Sequence, residues 1–251
     1  MKNTYLTAVL LFTLALTARA QEEKEIETDR PSETETTSTV PRGHFQMESG
    51  LEHEQEGEEA STFYIPSTLW KFGLFENLEL RIITELAREK QHENAITGLK
   101  PVTVGFKLKL WDESGILPEG SLLPQVALHK IASKEFQEAY PAPEIRLLLK
   151  NKLSEKIELG YNIGAEWEGD SGRPTYQYTI CPNFTLTEKL KTFIEAYGFL
   201  PRQEHPDHWV DGGFLFLLSR NVQLDIAAGY ELTANNDYHG YFETVGISFR
   251  L

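Results

Sequence analysis

The sequence holds a single cysteine, Cys181, so an intrachain disulfide or a cysteine-based zinc site is excluded. Basic charge is also in deficit. Lys and Arg number 24 against 38 Asp and Glu, a formal net charge of -14, which argues against a nucleic-acid partner, because phosphates need a basic surface. Long apolar runs are missing beyond residue 20, and a membrane-spanning helix needs about 18 to 20 such residues. Hydrolase and phosphate-binding signatures are absent too: no G-x-S-x-G, no H-E-x-x-H and no glycine-rich phosphate loop. No enzymatic activity and no cofactor is therefore expected.

The first 20 residues read as an export signal. Lys2 gives a positive start, Tyr5 to Leu16 is apolar, and Ala18-Arg19-Ala20 is a small-x-small cleavage site, so the mature chain is expected to begin at Gln21. The residue after that site is Gln21 and not cysteine, so a lipid-anchored lipoprotein is not expected. Residues 21–41 form an acidic leader rich in Ser, Thr and Glu, expected to be periplasmic and extended, with disorder from Gln21 to about Glu27. Asp29-Arg30-Pro31 precedes the first strand. The stretch from Asp29 to Val40 is expected to tuck against or into the periplasmic mouth, with Arg30 meeting a lumen carboxylate.

From residue 42 to Leu251 the hydropathy alternates with period two. Val102, Val104, Phe106, Leu108 and Leu110 share one face of a strand, against Thr103, Gly105, Lys107 and Lys109 on the other. The segments 157–166, 222–231 and 241–251 repeat the scheme. A soluble sandwich would bury the apolar face and a membrane barrel would turn it to lipid. Three features favour the barrel. The polar faces are rich in glycine and long charged residues, aromatics gather near strand ends (Trp70, Phe72, Tyr176, Tyr178, Tyr241), and the chain ends on an amphipathic strand. Short turns at 75–77, 151–155, 187–189 and 219–221 alternate with longer connections at 88–96, 132–141, 167–173 and 200–208, with Trp111 to Gly120 an exception, a longer connection on the short-turn side. The expectation is an all-β fold: a single closed antiparallel transmembrane barrel of about twelve strands, both mature ends periplasmic, in the outer membrane of a Gram-negative bacterium.

Thr28-Asp29-Arg30-Pro31, Val40-Pro41-Arg42-Gly43, Phe45-Gln46-Met47-Glu48-Ser49-Gly50 and Phe72-Gly73-Leu74 leading to Leu78-Glu79-Leu80-Arg81 resemble the outer-membrane transporter family named for the MetA pathway of phenol degradation. Phe193 to Gly198, Asp211-Gly212-Gly213 and Leu224-Asp225 also fit. The resemblance spans about Glu27 to Leu251 and implies a barrel with a transport role. It implies no proven substrate.

Parity sorts the charges into two arcs. Lys71, Arg81, Lys107, Lys109, Arg146 and Lys150 are expected to point inward from the early strands. Glu158, Glu166, Glu195, Asp211, Asp225 and Glu231 point inward from the later ones, continued by Glu48 and Glu52 on the first strand; Glu79 and Glu85 interrupt the basic arc. Open arcs would set a transverse field across the lumen, and paired arcs would close it. His205-Pro206-Asp207-His208 lacks a third fixed ligand and reads as a polar loop rather than a metal site. A passive channel for small solutes leads, a closed structural or adhesion barrel follows, and a barrel hydrolase using a rim histidine such as His53 is third. The expected partners are outer-membrane lipid, a small solute, and the barrel assembly machinery through the last strand.

Overall fold

The structure, a computed structural model, describes residues 25–202, 205–233 and 238–251. The signal segment and Gln21 to Lys24 lie outside the described residues. The strands are β1 (Phe45–Gln55), β2 (Ala60–Phe75), β3 (Leu78–Gln91), β4 (Asn94–Leu99), β5 (Val102–Trp111), β6 (Glu119–Leu128), β7 (Ala142–Ser154), β8 (Ile157–Trp167), β9 (Pro174–Thr185), β10 (Leu190–Pro201), β11 (Asp207–Ser219), β12 (Val222–Glu231) and β13 (Tyr241–Arg250).

Each pairs antiparallel with its neighbour, and the sheet closes because β1 pairs with both β2 and β13 while β2 pairs with β3. Thirteen segments make twelve wall positions. β4 continues the place of β5, so β3 meets β5 over Leu78–Ile83 and β4 over Leu86–Gln91. The break falls at Lys100 and Pro101, where proline has no N–H for the ladder. The twelve-position ring is closed, the condition for crossing a bilayer with strands, and only β4, paired with β3 alone, keeps one free edge. No helix among the described residues is long and apolar enough to span a membrane.

The alternation is realised as an apolar outside and a polar inside. Phe106, Leu224, Ile226, Ile163 and Ile194 are exposed on the outer wall, with Val104, Ile157, Leu159 and Phe249 partly so. In water such a band would be unfavourable; against lipid tails it is the stable arrangement. Trp70, Phe72 and Phe75 mark its short-turn end, and Tyr176, Tyr230 and Tyr241 its long-loop end. Both described chain ends lie at the short-turn end: Ile26 N–H donates to Arg220 O at 2.8 Å, and Leu251 N–H to Phe45 O at 2.8 Å.

Two connections differ from expectation. The segment 88–96 is not a loop. β3 and β4 stay paired out to Gln91 and Asn94, turning at His92, which has a positive φ of 57°. Arg88-Glu89-Lys90-Gln91 is polar on both faces, so no hydropathy alternation marks it as strand. The short turn expected over 151–155 shrinks because β7 runs on to Ser154.

Candidate functional site

The lumen is occupied by the chain's own leader. Residues 25–41 enter at the short-turn end, run inside the wall and return to that end, where Gly43 N–H donates to Gly73 O at 2.7 Å. Expected disorder up to Glu27 does not hold for Ile26, which is 1% exposed and hydrogen-bonded to the wall. Asp29 to Val40 run inside the barrel rather than against its mouth, and Arg30 meets the lumen carboxylate Asp225. Little of the leader is apolar. What buries it is polar pairing, which removes the usual penalty for taking polar groups out of water.

The pairing matches the leader to the wall charge by charge. Asp29 is the hub. Its Oδ2 lies 2.8 Å from Lys71 Nζ and 2.8 Å from an Arg81 NH group, and its Oδ1 lies 2.8 Å from Lys107 Nζ. Thr36 donates to the same carboxylate from both its backbone N–H and its hydroxyl. Glu35 reaches Arg81 at 2.6 Å and Lys107 at 3.5 Å. Glu33 pairs with Arg146 at 2.6 Å, and Arg146 also pairs with Glu144. On the opposite side Arg30, the leader's cation, donates to Asp225 at 3.2 Å and to Thr244 at 2.7 Å. Gly50 and Gly246 make room for it. A Cβ at Gly50 would sit 2.2 Å from the Arg30 guanidinium, and one at Gly246 2.6 Å from its Nε.

Wall carboxylates also accept the leader's backbone N–H groups. Glu48 takes those of Asp29 and Arg30, each at 2.9 Å, and Glu195 those of Glu33 and Thr34 at 2.8 and 2.7 Å. Glu79 takes that of Val40 at 2.7 Å. Asn162 bonds both ways with Glu35, and Thr34 and Thr179 hydroxyls lie 2.6 Å apart. The transverse field expected of open arcs is therefore largely cancelled. Anions of the leader face the basic arc, and Arg30 faces the acidic one.

The expected lumen charges fall into three groups. Lys71, Arg81, Lys107, Arg146, Glu48, Glu195 and Asp225 contact the leader through the bonds above. Lys109 and Lys150 sit nearer the short-turn mouth and share Glu119, at 2.9 and 3.3 Å, with Lys150 also 3.9 Å from Glu27; Glu158 is exposed at that mouth. Glu52, Glu166, Asp211 and Glu231 stand on the long-loop side, and Glu231 accepts the Gly240 N–H at 2.9 Å. Parity reasoning omitted the leader's own Glu27, Glu33 and Glu35, and the wall's Glu119 and Glu144. The leader residues follow no strand period, but their alternation with Thr in Glu33-Thr34-Glu35-Thr36 was a visible complement to the basic strands.

The leader divides the lumen into two cavities. One, of about 630 Å³, opens on the long-loop side; the other, of about 180 Å³, lies on the short-turn side. Arg30, Pro31, Ser32 and Glu35 border both.

The two other candidate sites are the 205–208 segment and His53. No group of three or more His, Cys, Asp or Glu side chains gathers as a metal site among the described residues. His208 Nδ1 lies 2.9 Å from the Tyr178 hydroxyl. His53, on the outer wall, is bonded to Glu243 at 2.9 Å and stacked on Phe63 at 4.2 Å. No serine or threonine hydroxyl is seen bonded to that ring among the described residues, which would be needed for a nucleophile.

A search of curated proteins by sequence found no match. Among solved structures the barrel superposes on an outer-membrane channel from Pseudomonas putida F1, with TM-score 0.62 and 11% identity over 90% of this chain and 100% of that one. The NanC porin gives TM-score 0.56 and 10% identity over 82% of this chain and all of that one. The transport unit of the autotransporter AIDA-I from Escherichia coli gives TM-score 0.51 and 10% identity over 94% and 96%. At such identities the likeness is one of fold, an outer-membrane barrel. Sequence carries the assignment further: residues 28–251 match the family described as "Putative MetA-pathway of phenol degradation", and the chain belongs to that family.

Proposed function

We propose that this protein is an outer-membrane channel for small polar solutes, closed by its own N-terminal leader. One observation carries the reading: a single short stretch, Arg30 to Glu35, stands between a cavity on the long-loop side and one on the short-turn side. Everything that holds the stretch is noncovalent, and ion pairs and hydrogen bonds are contacts that water can replace at modest net cost. Displacing it would join the cavities inside an intact wall, because the strand ladders do not depend on it.

The fold is shared by porins, by a channel and by an autotransporter unit, so fold alone does not choose among them. The charged, hydrogen-bonding interior favours passage of polar solutes over apolar ones. The phenol in the family's description is not extended to this chain. The reading makes the protein non-catalytic, with His53 and Glu243 a cross-strand pair of the outer wall. It puts the short turns and both chain ends in the periplasm and the longer connections outside, as in barrels of this kind. The strand from Tyr241 to Leu251, apolar on its outer face, is the segment offered to the assembly machinery.

Planar-bilayer conductance tests the proposal. The full mature chain should show rare or small openings, and a chain lacking residues 21–41 a large steady conductance. Identical traces would remove the leader as the closing element. Silence from both would favour a closed structural barrel.

A further inference from the structure

The cavity on the long-loop side carries chemistry that closure of the lumen does not use. Its volume of about 630 Å³ falls in the range of small-molecule sites. Carboxylates dominate its wall. Glu52, Glu54, Glu85, Asp211 and Glu231 line it, and none of them has an ion-pair partner among the described residues. The two lining cations are already engaged, Arg30 by Asp225, and Arg81 by Asp29, Glu35 and Glu79.

Asp211 separates this cavity from an ordinary acidic surface. It is 7% exposed, and no N–H or hydroxyl group among the described residues donates to either carboxylate oxygen; the carboxyl across the strand pair, Glu195, can bond to it only when one of the two holds a proton. Buried carboxylates ordinarily face donors, so one set against a second carboxyl with no donor group of its own is an anomaly that a cationic ligand would resolve. Glu195, its cross-strand neighbour, is taken by the leader's backbone N–H groups.

Aromatic rings line the same cavity from β10, β11 and β13. Tyr197 and Trp209 are a cross-strand pair stacked 7° from parallel at 6.2 Å, and the Phe242 ring lies 6.1 Å from Trp209. All three line the cavity. A carboxylate without a donor, set beside aromatic faces, is complementary to a cation with an apolar body. The charge answers Asp211 and the body lies against the rings, where a desolvated cation–π contact adds to the ion pair. A hydrated metal ion would leave the rings unused. An anion would meet five carboxylates, and a neutral aromatic would leave Asp211 unanswered.

We infer that this cavity is a binding site for an organic cation, an ammonium or guanidinium compound of modest size, held by Asp211 and the Tyr197–Trp209 stack. As the outer receiving site of a channel it rests on the function proposed above; as a binding site it does not. Isothermal titration of the full mature chain refolded in detergent, with benzylammonium, and with benzenesulfonate as an anion of similar body, separates the two. Saturable binding of the ammonium, none of the sulfonate at equal concentration, and at least tenfold weaker binding in Asp211→Asn and in Trp209→Leu are expected. Equal binding of both probes, or undiminished affinity in both variants, would overturn the site. If Asp211→Asn does not refold, Trp209→Leu and Glu54→Gln carry the same test. A protein that binds the ammonium but never conducts would sink the channel and keep the site; one that conducts without binding it would do the reverse.

Discussion

Replacing Asp29 by Asn should release the leader and spare the wall. The amide keeps the shape of the side chain and an oxygen that can still accept from Thr36, so what is lost is one charge facing Lys71, Arg81 and Lys107. Removing one partner of a buried ion pair costs about 3–5 kcal/mol. The low end applies here, because Glu35, Glu48 and Glu79 remain beside the same three cations. About 3 kcal/mol is roughly a hundredfold in the docking equilibrium. The loss falls on docking because Asp29 belongs to no strand. Backbone hydrogen exchange reads this directly, since the N–H groups of Asp29, Arg30, Glu33, Thr34 and Val40 are bonded to wall carboxylates. Their exchange should quicken by about two orders of magnitude while amides of β7 to β12 stay unchanged. Unchanged leader exchange in a folded variant would show that the ion-pair hub does not hold the leader. Equal acceleration in the strands would show that leader and wall are one unit, which refutes a separable gate.

Three further outcomes follow from the same contacts. A disulfide between Thr34→Cys and Thr179→Cys, whose hydroxyls lie 2.6 Å apart, should abolish openings under oxidising conditions and restore them with reductant in single-channel recordings. Docking should loosen as pH rises. Burial, against the pull of Arg81, pushes the Glu35 carboxyl from 4.5 up to about 7, so its contribution is full at acid pH and lost as pH rises through 7. Asp29 works in the opposite sense. Burial alone would raise it, but Lys107, Lys71 and Arg81 hold it well below the usual carboxylate range, so its contribution persists at neutral pH and fails only in strong acid. Open probability should therefore be higher at pH 8 than at pH 5.5, and Glu35→Gln should flatten that difference. On the outer wall, Ile226→Arg should cost about 2–4 kcal/mol near the bilayer midplane in a denaturant titration in lipid, against almost nothing if that face met water.

The barrel was legible in the sequence because a strand's side-chain period is short and local. Val102 to Leu110 assigns its faces with no knowledge of any partner, and the same holds for 157–166, 222–231 and 241–250. An even number of such segments with alternating turn lengths is enough to suggest a ring with both ends on one side. The paired stretch Arg88 to Gln91 escaped because its strand is polar on both faces, and ladder hydrogen bonds leave no trace in hydropathy.

What the sequence determined alone was the wall and the alternation of its two faces. What only the tertiary structure decided was the fate of the charges. Asp29 lies 42 residues from Lys71 and 78 from Lys107, and Arg30 lies 195 from Asp225; nothing local relates them. They meet because closing the ring brings β1 to β13 and turns the basic and acidic strands toward each other across one lumen, into which a leader of opposite pattern fits. A segment with almost nothing apolar to bury looks disordered when read by hydropathy. It becomes ordered when its buried N–H and carboxylate groups find fixed partners, and those partners exist only once the barrel has closed.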